Sequence, residues 1–208
     1  MGLRKPVAAE ALREVVHREH ERDQAGLLAQ LRTGDSTQRR WAARELVAHP
    51  EVALTLGEHL LREADTTVRE TVFTSLIGMA NADAAQAVIP LLRSEDPGLR
   101  NGAIEALSSM PNVAGPHVDQ LLHDPDPDVR IFTVNLLAEL KHPRVQEWLQ
   151  WVMEHDQHVN VLAAAVEVLT EVGTPEVLPA LRSVSERLKN EPFLSFAIDV
   201  AIDRIEST

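Results

Sequence analysis

The sequence predicts an all-α fold: a right-handed α-solenoid of about six helical hairpins preceded by an N-terminal cap helix. The first observation is a helical phrase that recurs about every 30 residues, with Arg39, Arg69, Arg100 and Arg130 at its second position. The second is an acidic residue a few positions before each phrase. The third is a composition with no tyrosine, four phenylalanines and three tryptophans, which suits helices packed through small side chains. A fixed period of this length indicates one supersecondary unit copied along the chain.

Six phrases mark the second helix of each hairpin. They are QRRWAARELVAH (38–49), VRETVFTSLIGM (68–79), LRNGAIEALSSM (99–110), VRIFTVNLLAEL (129–140) and two weaker copies, VLAAAVEVLTEV (161–172) and FLSFAIDVAIDR (193–204). In the phrase that starts at Val68, apolar residues recur at i, i+4, i+8 and i+11, which is the stripe of an amphipathic helix. We therefore predict second helices at about 37–48, 67–79, 98–109, 128–140, 159–172 and 193–206.

A shorter apolar segment precedes each phrase from the second onward and is predicted to form the first helix of that hairpin. These segments span about 51–63, 83–94, 113–123, 143–154 and 175–188. Pro143 and Pro175 stand at or near the start of two of them, where the missing N–H costs nothing. Residues 1–22 have a charged helical pattern without the phrase. We predict a cap helix there and the repeat array over residues 23–208.

Composition and charge narrow the classes of function. The chain has 208 residues, a net charge of −12 and no cysteine, which excludes disulfides and thiolate metal sites. Residues 1–50 carry nine Lys and Arg against seven Asp and Glu, or +2, so residues 51–208 carry −14. Such a body repels a phosphate backbone, and we expect no nucleic-acid partner. There is no signal-peptide-like apolar run and no stretch of roughly 18 apolar residues, so we expect a soluble, cytoplasmic protein without a membrane partner.

The phrases resemble HEAT repeats, specifically the short bacterial kind also found in phycobilin-lyase-like HEAT proteins. That group has Asp-Pro-x-x-Val-Arg followed by Ala and Leu at helical spacing. HDPDPDVRIFTVNLLAEL (123–140) matches this pattern almost throughout and SEDPGLRNGAIEALSSM (94–110) matches well, while the first, fifth and sixth units are degraded. The resemblance covers about residues 23–206 and implies a ladder in which each repeated arginine pairs with acidic groups or carbonyls across the loop between repeats. It says little about function, because unrelated activities share the array.

The sequence does not support three kinds of chemistry that its residues superficially suggest. Asp124, Asp126 and Asp128 resemble the start of a calcium loop, but the turn glycine is absent and the twelfth position is Asn135. HEAT-like deoxyhypusine hydroxylases bind two irons through repeated His-Glu pairs, whereas only His20 is followed by Glu here. No phosphate loop, nucleophile elbow or Ser-His-Asp arrangement is visible. We predict no catalytic residues, no metal and no cofactor.

A binding surface is predicted from helix geometry. Positions 1, 5, 8, 9 and 12 of each phrase point inward, which leaves positions 3, 4 and 7 on the exposed side of the second helix. We call these positions together the second-helix face, and stacking is expected to make it the concave lining. The predicted protein-binding residues on this face are Arg40, Trp41, Arg44, Glu70, Thr71, Thr74, Asn101, Glu105, Ile131, Phe132 and Asn135. In the last two units the same positions are Ala163, Ala164, Glu167, Ser195, Phe196 and Asp199.

These residues predict the function and the kind of partner. Trp41, flanked by two arginines, is one expected anchor, and Ile131 with Phe132 is another. About three units separate them, so a ligand that touches both is an extended peptide or a helix lying across the groove. The acidic Glu70 and Glu105 between the anchors favour basic residues in the centre of that ligand. We therefore expect a non-catalytic protein-interaction module, an adaptor or scaffold.

Two alternatives remain open. The resemblance to phycobilin-lyase-like proteins implies a lyase-like or chaperone-like factor acting on a cofactor-bearing, for example bilin-carrying, client. Alkylpurine DNA glycosylases are also HEAT-like, and Arg40, Trp41 and Arg44 on one helix would suit a DNA groove. The later helices carry Glu105 and Glu167 at comparable positions, so that groove would be largely acidic, which disfavours this interpretation.

Overall fold

The computed structural model describes residues 20–207. Within this range the chain forms twelve α-helices and no strand, as the all-α prediction requires. The helices are α1 (Gln24–Thr33), α2 (Ser36–Glu45), α3 (Ala53–Leu60), α4 (Thr66–Met79), α5 (Ala82–Val88), α6 (Pro97–Ser108), α7 (Pro111–Leu122), α8 (Pro127–Glu139), α9 (Val145–His155), α10 (Val159–Val172), α11 (Leu178–Arg187) and α12 (Pro192–Glu206). Each odd-numbered helix packs on the even-numbered helix that follows it, which makes six consecutive hairpins.

The repeated acidic residues start the second helices. The carboxylates of Asp35, Asp65, Asp96 and Asp126 accept hydrogen bonds from backbone N–H groups two or three residues ahead, at 2.8–2.9 Å. An N-cap of this kind satisfies an N–H that has no partner inside the helix. The acid that recurs before each phrase is thus explained by local structure in α2, α4, α6 and α8.

Prolines shorten and reshape the first helices. The helix α5 ends at Val88, and a 3₁₀ segment, Ile89–Arg93, continues it through Pro90. Proline has no N–H to donate to the preceding turn and disfavours the helical conformation of the residue before it. A second 3₁₀ segment, Pro175–Val177, leads into α11. The first-helix layer is therefore less regular than the second.

One continuous hydrophobic core runs through all six hairpins, from Leu27 to Ile205. The second helices stack on one another in order from α2 to α12, and contacts between successive first helices are sparser. Glycines set the closest approaches in both layers. A Cβ on Gly57 would lie 2.7 Å from the carbonyl oxygen of Ala87, and a Cβ on Gly102 would lie 2.7 Å from Cζ of Phe73. A side chain at either glycine would push neighbouring repeats apart.

The predicted cap helix mostly lies outside the described residues. Its last residues, 20–22, are not helical in the structure. The first described helix, α1, begins at Gln24, where the Asp23 carboxylate accepts a hydrogen bond from the Gly26 N–H at 2.8 Å. It packs on α2 as the first half of the first hairpin. No helix in the described part of the chain is long and apolar enough to cross a membrane.

Candidate functional site

The repeated arginines connect successive hairpins. The Arg39 guanidinium donates to the Gly34 carbonyl at 2.9 Å and to both carboxylate oxygens of Glu63 at 2.8 and 2.9 Å. In the next unit Arg69 donates to the Glu63 carbonyl at 2.5 Å and to Asp96 at 2.6 Å. Each arginine therefore ties the loop before its own helix to an acidic residue of the following hairpin. Bidentate arginine–carboxylate contacts are geometrically specific, which suits a device that sets the repeat spacing.

The fourth arginine keeps this arrangement and the third does not. Arg130 donates to the Asp124 carbonyl at 2.8 Å and to Asp156 at 2.7 Å. Arg100 donates to the Ser94 carbonyl at 2.7 Å but makes no ion pair among the described residues. Its guanidinium carbon lies 5.3 Å from the centre of the Phe132 ring, within the range of a cation–π contact. The junction between the third and fourth hairpins is thus held differently from its neighbours.

Two carboxylates of this ladder, Glu63 and Asp96, have lowered pKa values that favour the ionised form. Burial would raise the pKa of Glu63, but hydrogen bonds from Arg39, the Asp65 N–H and His59 lower it below its ordinary range. The pKa of Asp96 is also lowered, chiefly by its hydrogen bond from Arg69. A proton-transfer group at neutral pH needs the opposite shift. These carboxylates connect successive repeats, as the predicted arginine ladder implies.

The structure places most of the predicted binding residues on an exposed surface. Arg40, Arg44, Glu70, Thr74, Asn101, Glu105 and Asn135 are exposed, as is Trp41, whose exposed fraction is 60%. Thr71, Ile131 and Phe132 are only half-buried rather than fully exposed. The last two pack against the core, and Arg100 of the preceding hairpin covers the Phe132 ring. The expectation of a freely exposed apolar anchor at this pair was therefore too strong.

The predicted residues fall into three separate parts of the second-helix face. Glu70, Thr74, Asn101 and Glu105 line one depression between α4 and α6, of about 320 Å³. Ile131 and Asn135 line a larger groove, of about 660 Å³, that crosses α8, α10 and α12. Arg40, Trp41 and Arg44 lie on α2 and line neither. The face thus offers a cationic aromatic end, a polar middle and an apolar groove near α12.

Sequence reasoning missed one member of the apolar groove, Phe193. The repeat pattern predicts an inward position for Phe193, but its exposed fraction is 80%, and the buried residues of α12 are Leu194, Ile198, Ala201 and Ile205. The sixth phrase is therefore shifted by one residue relative to the other five. The sequence contains the signal for this shift, because the buried four recur at i, i+4, i+7 and i+11, whereas the assumed register would point Arg204 inward.

Aromatic and charged residues also cluster on the first helices α7 and α9. Trp148 is buried, and its indole N–H donates to Asp119 at 3.0 Å. Trp151 is half-buried between His123 and His155, with ring centroids 4.2 and 5.0 Å apart. Both imidazoles use Nδ1 for a backbone carbonyl four residues earlier. Across residues 20–207, no group of three His, Asp or Glu side chains is arranged to hold a metal ion.

Comparison with known proteins shows which family of helical repeats the chain matches. A family model described as HEAT repeats matches the chain twice, over residues 53–118 and 115–191, which is more than half of its length. No curated protein matches it.

Several solved structures are similar. One is an engineered protein from the Northeast Structural Genomics Consortium, at 17% identity over 87% of this chain and 95% of that chain, with a TM-score of 0.44. A designed armadillo repeat protein is similar at 17% identity, over 86% and 98% of the two chains, with a TM-score of 0.40. The complex of CpcE and CpcF of phycocyanin lyase from Nostoc sp. is similar at 16% identity, over 94% and 99%, with a TM-score of 0.37. Each TM-score is below 0.5, so the family assignment rests on the sequence match.

Proposed function

Because the chain belongs to the HEAT-repeat family, we propose that it is a non-catalytic protein-interaction module that binds a segment of a partner protein on its second-helix face. It would act as an adaptor or scaffold, since a stack of hairpins offers a long surface rather than a deep pocket. The observation that carries this proposal is the presence of large apolar side chains exposed on the second helices, Trp41, Phe193 and Phe196, at exposed fractions of 60–80%. Large apolar side chains exposed next to one another, as Phe193 and Phe196 are on α12, commonly mark a contact site.

The charges of the face favour a protein over a nucleic acid. Arg40 and Arg44 are the exposed cations of α2, but the face then presents Glu70, Glu105 and Glu167. A phosphate backbone would be repelled along most of this length, and the −14 carried by residues 51–208 adds to the repulsion. A DNA-glycosylase role therefore receives no support from the face.

Site-specific photo-crosslinking in the native host tests the proposal. A photoreactive amino acid would replace exposed residues of the second-helix face, Thr74 and Asn135 in separate variants of the full chain. A variant at Gln120, exposed on α7 in the first-helix layer, is the control. We expect discrete crosslinked partners from the two face positions and none in common with the control. Equal crosslinking from all three positions would show that the second-helix face is not the binding site.

The partner identified in this way allows a quantitative test at Trp41. Truncating an aromatic hot spot typically costs on the order of 2 kcal/mol or more of binding energy. We expect Trp41→Ala to weaken binding of the purified partner at least tenfold. Leu61→Ala is the matched control, because Leu61 has the same exposed fraction, 60%, but follows α3 in the first-helix layer. A partner that carries a bilin or another cofactor would direct further work to the lyase-like or chaperone-like alternative.

A further inference from the structure

The last described helix exposes an apolar stripe that no other part of the described chain covers. Phe193, Phe196, Ala197 and Val200 stand at i, i+3, i+4 and i+7 of α12, which places them on one side of the helix. The exposed fractions of the phenylalanines are 80% and 68%, and that of Val200 is 43%. Phe193 and Ala197 line the groove described above, so the stripe and the groove form one surface.

The groove has the dimensions of a short helix. Its floor follows α10 from Asn160 to Glu171, a span of roughly 16 Å at the helical rise per residue. Ala163 and Ala164 lie on the floor near its Asn160 end, and such small side chains let the axis of another helix come close. Ile131 on α8 forms one wall, and the phenylalanine-bearing helix α12 forms the other.

An added helix suits this surface better than an added extended peptide. The face is built from helices whose backbone groups are already paired within the helices, so it offers no sheet edge to a strand. An extended segment would bring backbone donors and acceptors that require partners, whereas an α-helix pairs its own. An amphipathic helix laid along α10 needs only an apolar stripe to pack on the floor and walls.

The charges of the groove favour basic residues on either side of the apolar stripe of that helix. Glu167 and Glu171 are exposed one turn apart on α10, and neither makes an ion pair among the described residues. Arg204 is the one cation of the groove residues. Glu139, one turn beyond Asn135 on α8, is exposed as well. Lysine or arginine side chains beside the apolar stripe of a bound helix would lie within reach of these carboxylates, and the acidic body of the protein would speed their approach.

We propose that the groove along α10 binds a basic amphipathic α-helix. Its apolar stripe packs on Ala163, Ala164 and Phe193, and its cations pair with Glu167 and Glu171. This inference rests on the proposed function and adds the chemical class and conformation of the partner segment. The groove adds a third contact region to the two anchors predicted from the sequence, and it shares Ile131 with the second of them.

Binding of designed peptides to the full chain tests the inference. The probe is a fluorescein-labelled 18-residue leucine–lysine peptide with helical periodicity, and fluorescence anisotropy measures its affinity. A leucine–glutamate peptide with the same apolar stripe and a scrambled leucine–lysine peptide are the comparisons. We expect the basic amphipathic peptide to bind at least tenfold more tightly than either. Equal binding of the acidic peptide, or of the scrambled one, would overturn the proposal.

Two pairs of variants locate the site. Phe193→Ala with Phe196→Ala should weaken binding of the basic peptide at least tenfold, and Leu54→Ala with Leu61→Ala, exposed in the first-helix layer, should change it less than twofold. Glu167→Gln with Glu171→Gln should weaken binding about fivefold and reduce its salt dependence. Glu58→Gln with Glu95→Gln makes the same change in net charge at exposed positions elsewhere. If this control pair weakens binding as much as the groove pair, the attraction is non-specific and the assignment is wrong.

The outcome can be separated from that of the proposed function. Circular dichroism and thermal melting of each variant show whether the fold is kept, as we expect for substitutions at exposed positions. Crosslinks from Thr74 or Asn135 together with no peptide binding at the groove would retain the interaction module and refute the basic helix. Peptide binding that is abolished by the groove variants, without crosslinks in the host, would retain the groove and refute the proposed function.

Discussion

Glu63 shows how one residue can join two hairpins. Its carboxylate accepts hydrogen bonds from Arg39 and the Asp65 N–H and contacts His59 at 3.0 Å, while its exposed fraction is only 4%. Its backbone carbonyl accepts from Arg69. The first and second rungs of the ladder therefore meet at this residue, although the sequence pattern had singled out Asp65, two residues later.

Removing the charge of Glu63 should destabilise the protein. Glu63→Gln keeps the shape of the side chain but leaves the Arg39 guanidinium without its anionic partner. Hydrogen bonds to charged groups contribute about 2 kcal/mol, and we expect a loss of this size in the free energy of unfolding measured by urea denaturation. Glu58→Gln, at an exposed residue of α3, should change it by no more than a few tenths. Equal effects of the two substitutions would show that the Glu63 ion pairs contribute nothing to stability.

At the scale of the helix, close approach between first helices depends on Gly57. A Cβ at this position would lie 2.7 Å from both the Cβ and the carbonyl oxygen of Ala87, and backbone cannot yield as a flexible side chain can. The same substitution at Gly78 would meet only an exposed methyl group of Val47. Comparing alanine substitutions at the two glycines thus distinguishes a packing effect from the general preference of helices for alanine over glycine.

These two sites give opposite expectations for glycine-to-alanine substitutions. Gly57→Ala should lower the free energy of unfolding by about 1–3 kcal/mol, because α3 and α5 must move apart. Gly78→Ala should raise it by up to about 1 kcal/mol, because alanine is the better helix former and the Val47 side chain can turn away. Thermal and urea unfolding of both variants measure the difference. Destabilisation by both would mean that the C-terminal part of α4 is packed more tightly than the structure shows.

Helix-level features account for what the sequence could and could not predict. The 3.6-residue periodicity and the recurring Asp and Arg were sufficient for the all-α repeat architecture, because four units carry all of these signals and the last two keep the periodicity. The register of α12 was not obtained, because the phrase there starts with Phe193 and has no arginine to fix its second position. The half-burial of Phe132 depends on the contact with Arg100 of the preceding hairpin, a property of packing between units that one unit's sequence does not contain.

For the molecule as a whole, carboxylates paired with arginines make the free energy of unfolding depend on pH. The pKa of Asp96 and of Asp119 is lowered chiefly by hydrogen bonds from arginines, and that of Glu63 and of Asp124 is lowered by such bonds in spite of burial. A carboxyl whose pKa is lower in the folded than in the unfolded state stabilises the fold above its ordinary pKa. That contribution is lost as the pH falls through the lower folded value.

The free energy of unfolding should therefore be nearly constant from about pH 6 to 8 and should fall below about pH 5, where the unfolded chain begins to take up protons. Urea denaturation at a series of pH values measures this profile. Glu63→Gln should show a shallower fall, since one of the four carboxyls no longer titrates. A stability that rises on acidification would contradict the assignment of these ion pairs as stabilising contacts.

The tryptophans allow the unfolding of individual hairpins to be followed by fluorescence. The chain has three tryptophans and no tyrosine, so nearly all of its near-ultraviolet emission comes from two widely separated hairpins. Trp41 lies in water on α2, Trp148 is sealed in the core of α9, and Trp151 is stacked between two imidazoles. Variants that retain a single tryptophan would report from one end of the molecule at a time. Unfolding kinetics followed by the fluorescence of Trp41 and of Trp148 would then show whether the hairpins unfold progressively from one terminus or all together. No attached dye is needed.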